Sequence, residues 1–280
     1  MTTKIGFMQG RLCDQVDGKI QAFPWNNWED EFSVAEYINV SLMEWTIDQE
    51  NLYTNPLMTK EGQQKIKSLS SIHHVAIHSL TGDCFMQAPF WKSPADLESE
   101  LQKDFLAVCD ACLALKIEMI VLPLVDNGCL ENIQQEDRLV DFLLSHEKYF
   151  EQKSIRILFE SDFDPLSLKR FINRLPGGGF GINYDIGNSA ALGFDPGDEF
   201  AAYGSRIVNV HVKDRVRGGT TVPLGSGNAD FEHVFSELKN AKYSGNYILQ
   251  TARAADGDHV AAIARYRDMV LGWVAESKHP

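Results

Sequence analysis

The sequence predicts an α/β fold, a single barrel of eight alternating strands and helices, on three observations. Four short apolar runs each end in a residue that can bind a metal or move a proton: RILFE at Glu160, FGINYD at Asp185, IVNVH at His211 and NYILQ at Gln250. Each run is too short for a helix, and the intervals between the runs leave room for a helix and two loops. Eight such units fit into 280 residues, whereas one barrel takes about 250, so we expect residues 1–280 to form one domain.

The remaining strands and the helices follow the same logic in order along the chain. Four earlier apolar runs predict the first four strands: KIGFM, SLMEW ending near Glu44, HVAIHS ending near His78, and EMIVLPL. Segments with helical spacing of apolar residues lie between the runs. Residues 93–115 are predicted to form a helix with Ser93 as its N-cap, residues 131–153 one continuous helix, and residues 259–276 the closing helix.

The charge, hydropathy and cysteine content of the chain argue against several classes of function. The net charge of −13 argues against a nucleic-acid partner, because phosphate-binding surfaces are built from clustered Lys and Arg. No apolar run approaches the roughly 18 to 20 residues of a membrane span, and the N-terminus lacks a signal-peptide pattern, so we expect a cytosolic protein without a membrane partner. Five cysteines in a long chain fit reduced thiols.

The four residues at the ends of the later strands predict a metal site. In a parallel barrel the carboxyl ends of the strands converge on one mouth. Glu160, Asp185, His211 and Gln250 would therefore place two carboxylates, an imidazole and an amide together, a set that suits a hard divalent cation. Any one of them could instead cap a strand or bond a loop. Four at equivalent positions favour a site.

Several motifs carry a family resemblance: MQGRL, GKIQAFPW, NYDIGN, VHVKDR, PLGSGNADF and ILQTAR. In their order and spacing the chain resembles the sugar phosphate isomerase/epimerase branch of the xylose isomerase-like TIM barrel superfamily. The resemblance implies one divalent metal ion (Mn, Mg, Co or Zn) held by Glu160, Asp185, His211 and Gln250. It further implies that a small sugar or sugar phosphate reacts through an enediolate, with Glu160 as general base. Such barrels often pair or tetramerise, so a homo-oligomer is compatible with the resemblance.

Gln250 departs from the family pattern, in which a second glutamate follows the last strand. An amide oxygen can bind a metal, but an amide cannot accept and deliver a proton as a carboxylate does. One-base isomerisation led by Glu160 survives this change, and another acid could replace the missing glutamate. Alternatives are a metal-dependent sugar dehydratase or lyase and a catalytically disabled sugar-binding barrel. The net charge opposes the related endonuclease IV class. The residues at other strand ends that could replace the missing glutamate as an acid are Glu44, His78 and Asp83.

Other residues at the predicted mouth are candidates for substrate contact. Arg253 could pair with a phosphate, and Gly225 and Gly227 precede a helix that Asp230 could cap, at a usual barrel phosphate site. The further candidates for lining the mouth are Gln9, Arg11, Asn188, Lys213, Asp214 and Arg215.

Overall fold

Eight parallel strands close into a barrel in the computed structural model, which describes residues 3–276. Each strand pairs with the next along the chain and the last pairs with the first, which confirms the predicted (β/α)8 fold. The strands are β1 (Lys4–Met8), β2 (Leu42–Thr46), β3 (Ala76–Thr81), β4 (Met119–Leu124), β5 (Arg156–Ser161), β6 (Phe180–Asp185), β7 (Ile207–Val212) and β10 (Asn246–Leu249). Two short strands, β8 (Asp214–Arg215) and β9 (Thr221–Val222), form an antiparallel hairpin after β7.

The register of the strands places the polar residues at one end of the barrel. Asp185 and His211 are direct partners in the β6–β7 pair, and Phe159, which precedes Glu160, pairs with Ile182. Strand β6 is buried along its whole length, as expected for a parallel strand covered on both faces. The site residues therefore lie side by side where β5, β6 and β7 end.

Helices surround the barrel and supply the outer half of the core. They are α1 (Asp30–Tyr37), α2 (Lys60–His73), α3 (Asp83–Gln87), α4 (Ala95–Leu115), α5 (Ile133–Ser145), α6 (Glu147–Lys153), α7 (Pro165–Ile172), α8 (Ile186–Leu192), α9 (Pro196–Tyr203), α10 (Phe231–Asn240) and α11 (His259–Glu276). Phe105 of α4 packs against Phe85, Phe90, Phe142 and Phe150, so one aromatic cluster joins α3, α4, α5 and α6. Within residues 3–276, no helix combines the length and hydropathy that a bilayer span requires.

Three sequence predictions about element boundaries were wrong. The helix predicted over 131–153 is divided at His146, whose backbone leaves the helical region (φ −109°, ψ 9°). Ser93 does not cap α4, because its hydroxyl donates to the carbonyl of Pro89 and the helix begins after Pro94. Strand β3 continues past His78 to Thr81, so His78 lies inside the strand.

The loop between β1 and α1 is fixed over the mouth of the barrel. The buried Glu31 carboxylate accepts the backbone N–H groups of Gly10 (2.9 Å) and Leu12 (3.0 Å). Asp48 accepts the N–H of Phe23 at 2.9 Å from the other side of the loop. Carboxylates that accept backbone N–H groups form strong charge-assisted hydrogen bonds, so this loop is held from both ends.

Candidate active site

A cavity of about 580 Å³ opens at the mouth, at the carboxyl ends of the strands. It is bounded by the loops after β1, β3, β4, β5, β6, β7 and β10. This is the end of a β/α barrel where active sites are built. The charged residues that line it are Arg11, Asp83, Asp126, Glu160, Asp162, Lys213, Arg215 and Arg253.

Three of the four predicted metal ligands form one buried cluster. Glu160, Asp185 and His211 each offer a ligand atom, and these atoms all lie within 4.8 Å of one another. His211 Nδ1 lies 3.0 Å from Glu160 Oε2 and 3.9 Å from Asp185 Oδ2. Nδ1 is fully buried and has no hydrogen-bond partner of acceptable geometry among residues 3–276. A buried polar atom in that condition needs a ligand, so the donors present fit a divalent cation.

Glu44 holds the His211 ring from inside the barrel. Its Oε1 lies 2.6 Å from His211 Nε2, and its two oxygens also accept hydrogen bonds from Ser79, Thr81 and Asn209. A carboxylate at Nε2 keeps the proton on that nitrogen and leaves Nδ1 free to act as a ligand. Glu44 is therefore placed behind the metal-ligand candidates.

The electrostatics of the cluster depend on burial and on close opposite charges. Burial by itself would lower the pKa of His211, but the carboxylates of Glu44 and Glu160 outweigh it and raise that pKa to about 10. Burial likewise raises the pKa of Glu160, yet His211 and Lys213 outweigh this effect, so the net pKa of Glu160 is lowered. For Asp185 burial dominates and raises the pKa despite Lys213. A metal bound at Nδ1 would have to displace a proton from His211.

Glu160 is oriented by two asparagines. Asn188 Nδ2 donates to Glu160 Oε1 at 2.7 Å, and Asn183 Nδ2 donates to Oε2 at 3.0 Å. Arg215 in turn donates to Asn188 Oδ1 at 2.8 Å. The sequence reasoning missed Asn183 and its neighbour Asn209, although a signal was present. Both lie two positions before a site residue on an apolar strand, and the period of two turns them toward the barrel interior.

Gln250 lies beside this cluster, within a chain of hydrogen bonds. Lys213 Nζ pairs with Asp185 Oδ2 at 2.7 Å and donates to Gln250 Oε1 at 2.9 Å. Gln250 Nε2 donates to Gln21 Oε1 at 3.0 Å, and Gln21 Nε2 donates to Asp83 Oδ2 at 2.7 Å. Gln21 lies in the long loop after β1, within the motif GKIQAFPW, and was not among the predicted site residues. The amide oxygen of Gln250 is thus engaged by Lys213.

Three predicted contact residues do not line the cavity. Gln9 is fully buried, and its Oε1 accepts the backbone N–H of Thr46. Glu44 lies behind His211, and His78 is held within β3. The sequence placed Glu44 and His78 at the mouth because it could not fix where β2 and β3 end relative to the mouth.

The three arginines predicted to contact substrate line the cavity, and two of them, Arg11 and Arg253, differ in how many of their donors are engaged. Arg11 donates to Thr251 O, Ile20 O and Gln21 Oε1, so it supports the loop after β1. Burial lowers the pKa of Arg11 to about 10. Arg253 Nη1 donates to Cys13 O, whereas its buried Nε has no partner among the described residues.

In the loop predicted to bind phosphate, the backbone amides already donate to a carboxylate of the protein itself. Asp214 is fully buried, not exposed at the mouth, and its carboxylate accepts the N–H groups of Gly225 (2.9 Å), Gly227 (2.8 Å) and Ala229 (3.1 Å). These are the amides that a phosphate would have used. Asp230 caps α10 as predicted, by accepting the N–H of His233.

Comparison with known proteins agrees with the barrel fold. A family model described as xylose isomerase-like TIM barrel matches residues 32–269. A 99-residue segment is 37% identical to L-ribulose-5-phosphate 3-epimerase UlaE of Escherichia coli, and the match spans 35% of this chain and 35% of that relative.

Two solved structures share the fold at low sequence identity. A xylose isomerase-like TIM barrel protein from Mycobacterium smegmatis in complex with magnesium is 13% identical, with TM-score 0.73 over 99% of this chain and 98% of that one. An IOLI protein with a bound zinc atom is 16% identical, with TM-score 0.76 over 98% and 99% of the two chains. At this identity the likeness concerns the fold.

Proposed function

Because the chain belongs to the xylose isomerase-like TIM barrel family, we propose that it is a divalent-metal-dependent isomerase or epimerase of a small sugar or sugar phosphate. The observation that carries the proposal is the buried cluster of Glu160, Asp185 and His211, which lies beside a cavity at the catalytic end of the barrel. The buried Nδ1 of His211, which has no hydrogen-bond partner of acceptable geometry among residues 3–276, is the feature of this cluster that a cation would satisfy. The dehydratase and the non-catalytic alternatives have no comparable support.

The residues divide the chemistry among them. Glu160 is the general base that removes a carbon-bound proton next to the sugar carbonyl, and Asn183 and Asn188 hold its carboxylate. The lowered pKa of Glu160 keeps it ionised and ready to accept that proton. A divalent cation held by Glu160, Asp185 and His211 would supply electrostatic stabilisation of the negative charge that develops on the sugar oxygens.

The substrate class is supported by one relative and by the cavity wall. The UlaE relative is named for a phosphorylated ketose, so a ketose phosphate is the first substrate class that we propose. Lys213, Arg215 and Arg253 line the cavity and give it cationic groups that suit a phosphate or sugar hydroxyls. The identity of the metal, the cytosolic location and any homo-oligomer remain predictions of the sequence.

The test combines metal content with hydrogen exchange. Protein purified without chelator should hold about one divalent ion per chain after manganese is added. Incubated in D₂O with ribulose 5-phosphate, xylulose 5-phosphate, psicose or tagatose, it should place deuterium on the carbon next to the carbonyl. Absence of both metal and exchange with this panel would refute the proposed function and leave a binding role.

The contact between Glu44 and His211 gives a prediction about metal affinity. Glu44→Gln removes the negative charge behind the imidazole, and loss of such a supporting group typically costs roughly 10- to 100-fold in metal affinity. We expect that loss in a manganese titration followed by calorimetry.

A matched control for Glu44→Gln is Glu199→Gln. Glu199 is an equally buried carboxylate that accepts hydrogen bonds from Tyr184, Ser189 and Tyr203 and does not line the cavity. The Glu199→Gln substitution should lower thermal stability without weakening manganese binding. Equal metal affinity in Glu44→Gln and wild type would show that Glu44 has no part in the site.

A further inference from the structure

Inversion at a carbon needs two proton-transfer groups, and the cluster described above supplies one. Once Glu160 has removed a proton, the reacting carbon is planar, and a proton returned by Glu160 restores the original configuration. A second group must deliver a proton from another direction to give the epimer. Gln250 occupies the position after the last barrel strand but has no carboxylate, and its amide is engaged by Lys213 and Gln21.

Three other carboxylates line the cavity, and their positions differ. Asp162 follows Glu160 by two residues and belongs to the same part of the wall. Asp126 is solvent-exposed, on the loop after the neighbouring strand β4. Asp83 is 7% exposed and begins α3 after β3, two strands around the barrel from Glu160. Asp83 is the only buried acid among these three that approaches the cavity from a different wall.

Hydrogen bonds fix Asp83 in place and leave one oxygen available. Its Oδ2 accepts from Gln21 Nε2 at 2.7 Å, and no hydrogen bond or ion pair engages its Oδ1 in the described part of the chain. The donors run in one direction, from Lys213 through Gln250 and Gln21 to Asp83. A carboxylate at position 250 has no N–H for Gln21 Oε1 and would interrupt the chain. Gln250, whose amide cannot transfer protons, therefore positions Asp83 through Gln21.

The surroundings of Asp83 favour its protonated form. The pKa of Asp83 is raised to about 7: burial is the largest cause, the hydrogen bond from Gln21 and the charge of Arg11 oppose it, and the charges of Asp48 and Glu160 add to it. A bound cation would lower this value. An acid that titrates near the working pH can both donate and accept a proton.

Resting on the function proposed above, we infer that Asp83 is the second proton-transfer residue of the site. The Glu160 carboxylate takes the proton from the carbon. The C–H electron pair becomes the C=C bond of the enediol(ate), and the carbonyl π pair moves onto oxygen. The carboxyl proton of Asp83 then passes to the other face of the same carbon, the C=C pair forms the new C–H bond, and the carbonyl is restored. Glu160 ends protonated and Asp83 ionised, and both reset through water in the cavity.

The experiment separates exchange from epimerisation in the manganese-loaded enzyme. In D₂O, Asp83→Asn should still wash the substrate proton out through Glu160, within about 10-fold of wild type, while forming epimer at least about 100-fold more slowly. Asp83→Glu retains a carboxylic acid and should recover part of the epimer formation. Glu199→Gln is the matched control, because Glu199 is also a buried, hydrogen-bonded carboxylate but neither lines the cavity nor contributes to the pKa of Asp83. It should keep the wild-type ratio of epimer to exchange.

Each alternative outcome overturns the assignment in a recognisable way. If Asp83→Asn keeps the wild-type ratio of epimer to exchange, another group delivers the second proton. If Asp83→Asn loses both activities while remaining folded by circular dichroism and loaded with manganese, Asp83 serves the first step or substrate binding instead. A wild-type enzyme that neither exchanges nor epimerises any sugar in the panel refutes the proposed function itself, and the assignment with it.

Discussion

Glu160→Gln should lower turnover by roughly 10²- to 10⁴-fold, the range that a positioned general base contributes. Its carboxylate lies in the metal-ligand cluster and is the acceptor for Asn183 and Asn188. An amide in its place cannot remove the proton and turns an N–H group toward donors that need an acceptor. We expect both deuterium exchange and epimer formation to disappear together, measured by proton NMR of the sugar.

The control must separate chemistry from folding. Glu199→Gln removes a buried, hydrogen-bonded carboxylate outside the cavity and should retain turnover, even if its melting temperature falls. If Glu160→Gln melts near the wild-type temperature and still turns over at the wild-type rate, the base is a different residue.

Asp185→Asn should weaken metal binding by more than the roughly 10- to 100-fold expected for a supporting residue. Asp185 accepts the N–H of Asn188 through Oδ1, and its Oδ2 faces His211 and Lys213. The amide keeps the oxygen that caps α8 but loses the charge that a divalent cation requires. Manganese content after dialysis, measured by atomic absorption, should fall from about one ion per chain to almost none.

Asp195→Asn is the matched control for this capping residue. Asp195 caps the next helix, α9, by accepting the N–H of Asp198, and it lies outside the cavity. Its metal content should equal that of wild type. Full retention of manganese by Asp185→Asn would exclude Asp185 as a ligand.

The sequence was sufficient to predict the barrel and the charged residues at the ends of its strands. Short apolar runs that end in Glu160, Asp185 and His211 mark buried parallel strands, and the topology alone brings their ends together. The closing helix runs from His259 to Glu276 as predicted, because its apolar spacing is uninterrupted. These features depend on local periodicity, which a sequence displays directly.

The remaining features depend on contacts between distant parts of the chain. Gln21 forms hydrogen bonds with Asp83 and Gln250, which are 62 and 229 residues away in the sequence. No local sequence pattern around Gln21 predicts either hydrogen bond. Glu44 was predicted to contact substrate because a strand that ends in an acid gives no measure of its depth in the barrel. Its partner, His211, lies 167 residues away.

The carboxylate of Asp214 has a consequence for substrate selectivity. A barrel that grips phosphate with backbone amides discriminates through short, directional bonds that are largely insensitive to salt. Here those amides already donate to Asp214, so an anionic end of a substrate would meet side-chain cations such as Arg215. Coulombic attraction of that kind is screened over about 8 to 10 Å at physiological ionic strength. The preference for a phosphorylated over a neutral sugar would then depend on the ionic strength as well as on the enzyme. It would decrease as the salt concentration rises.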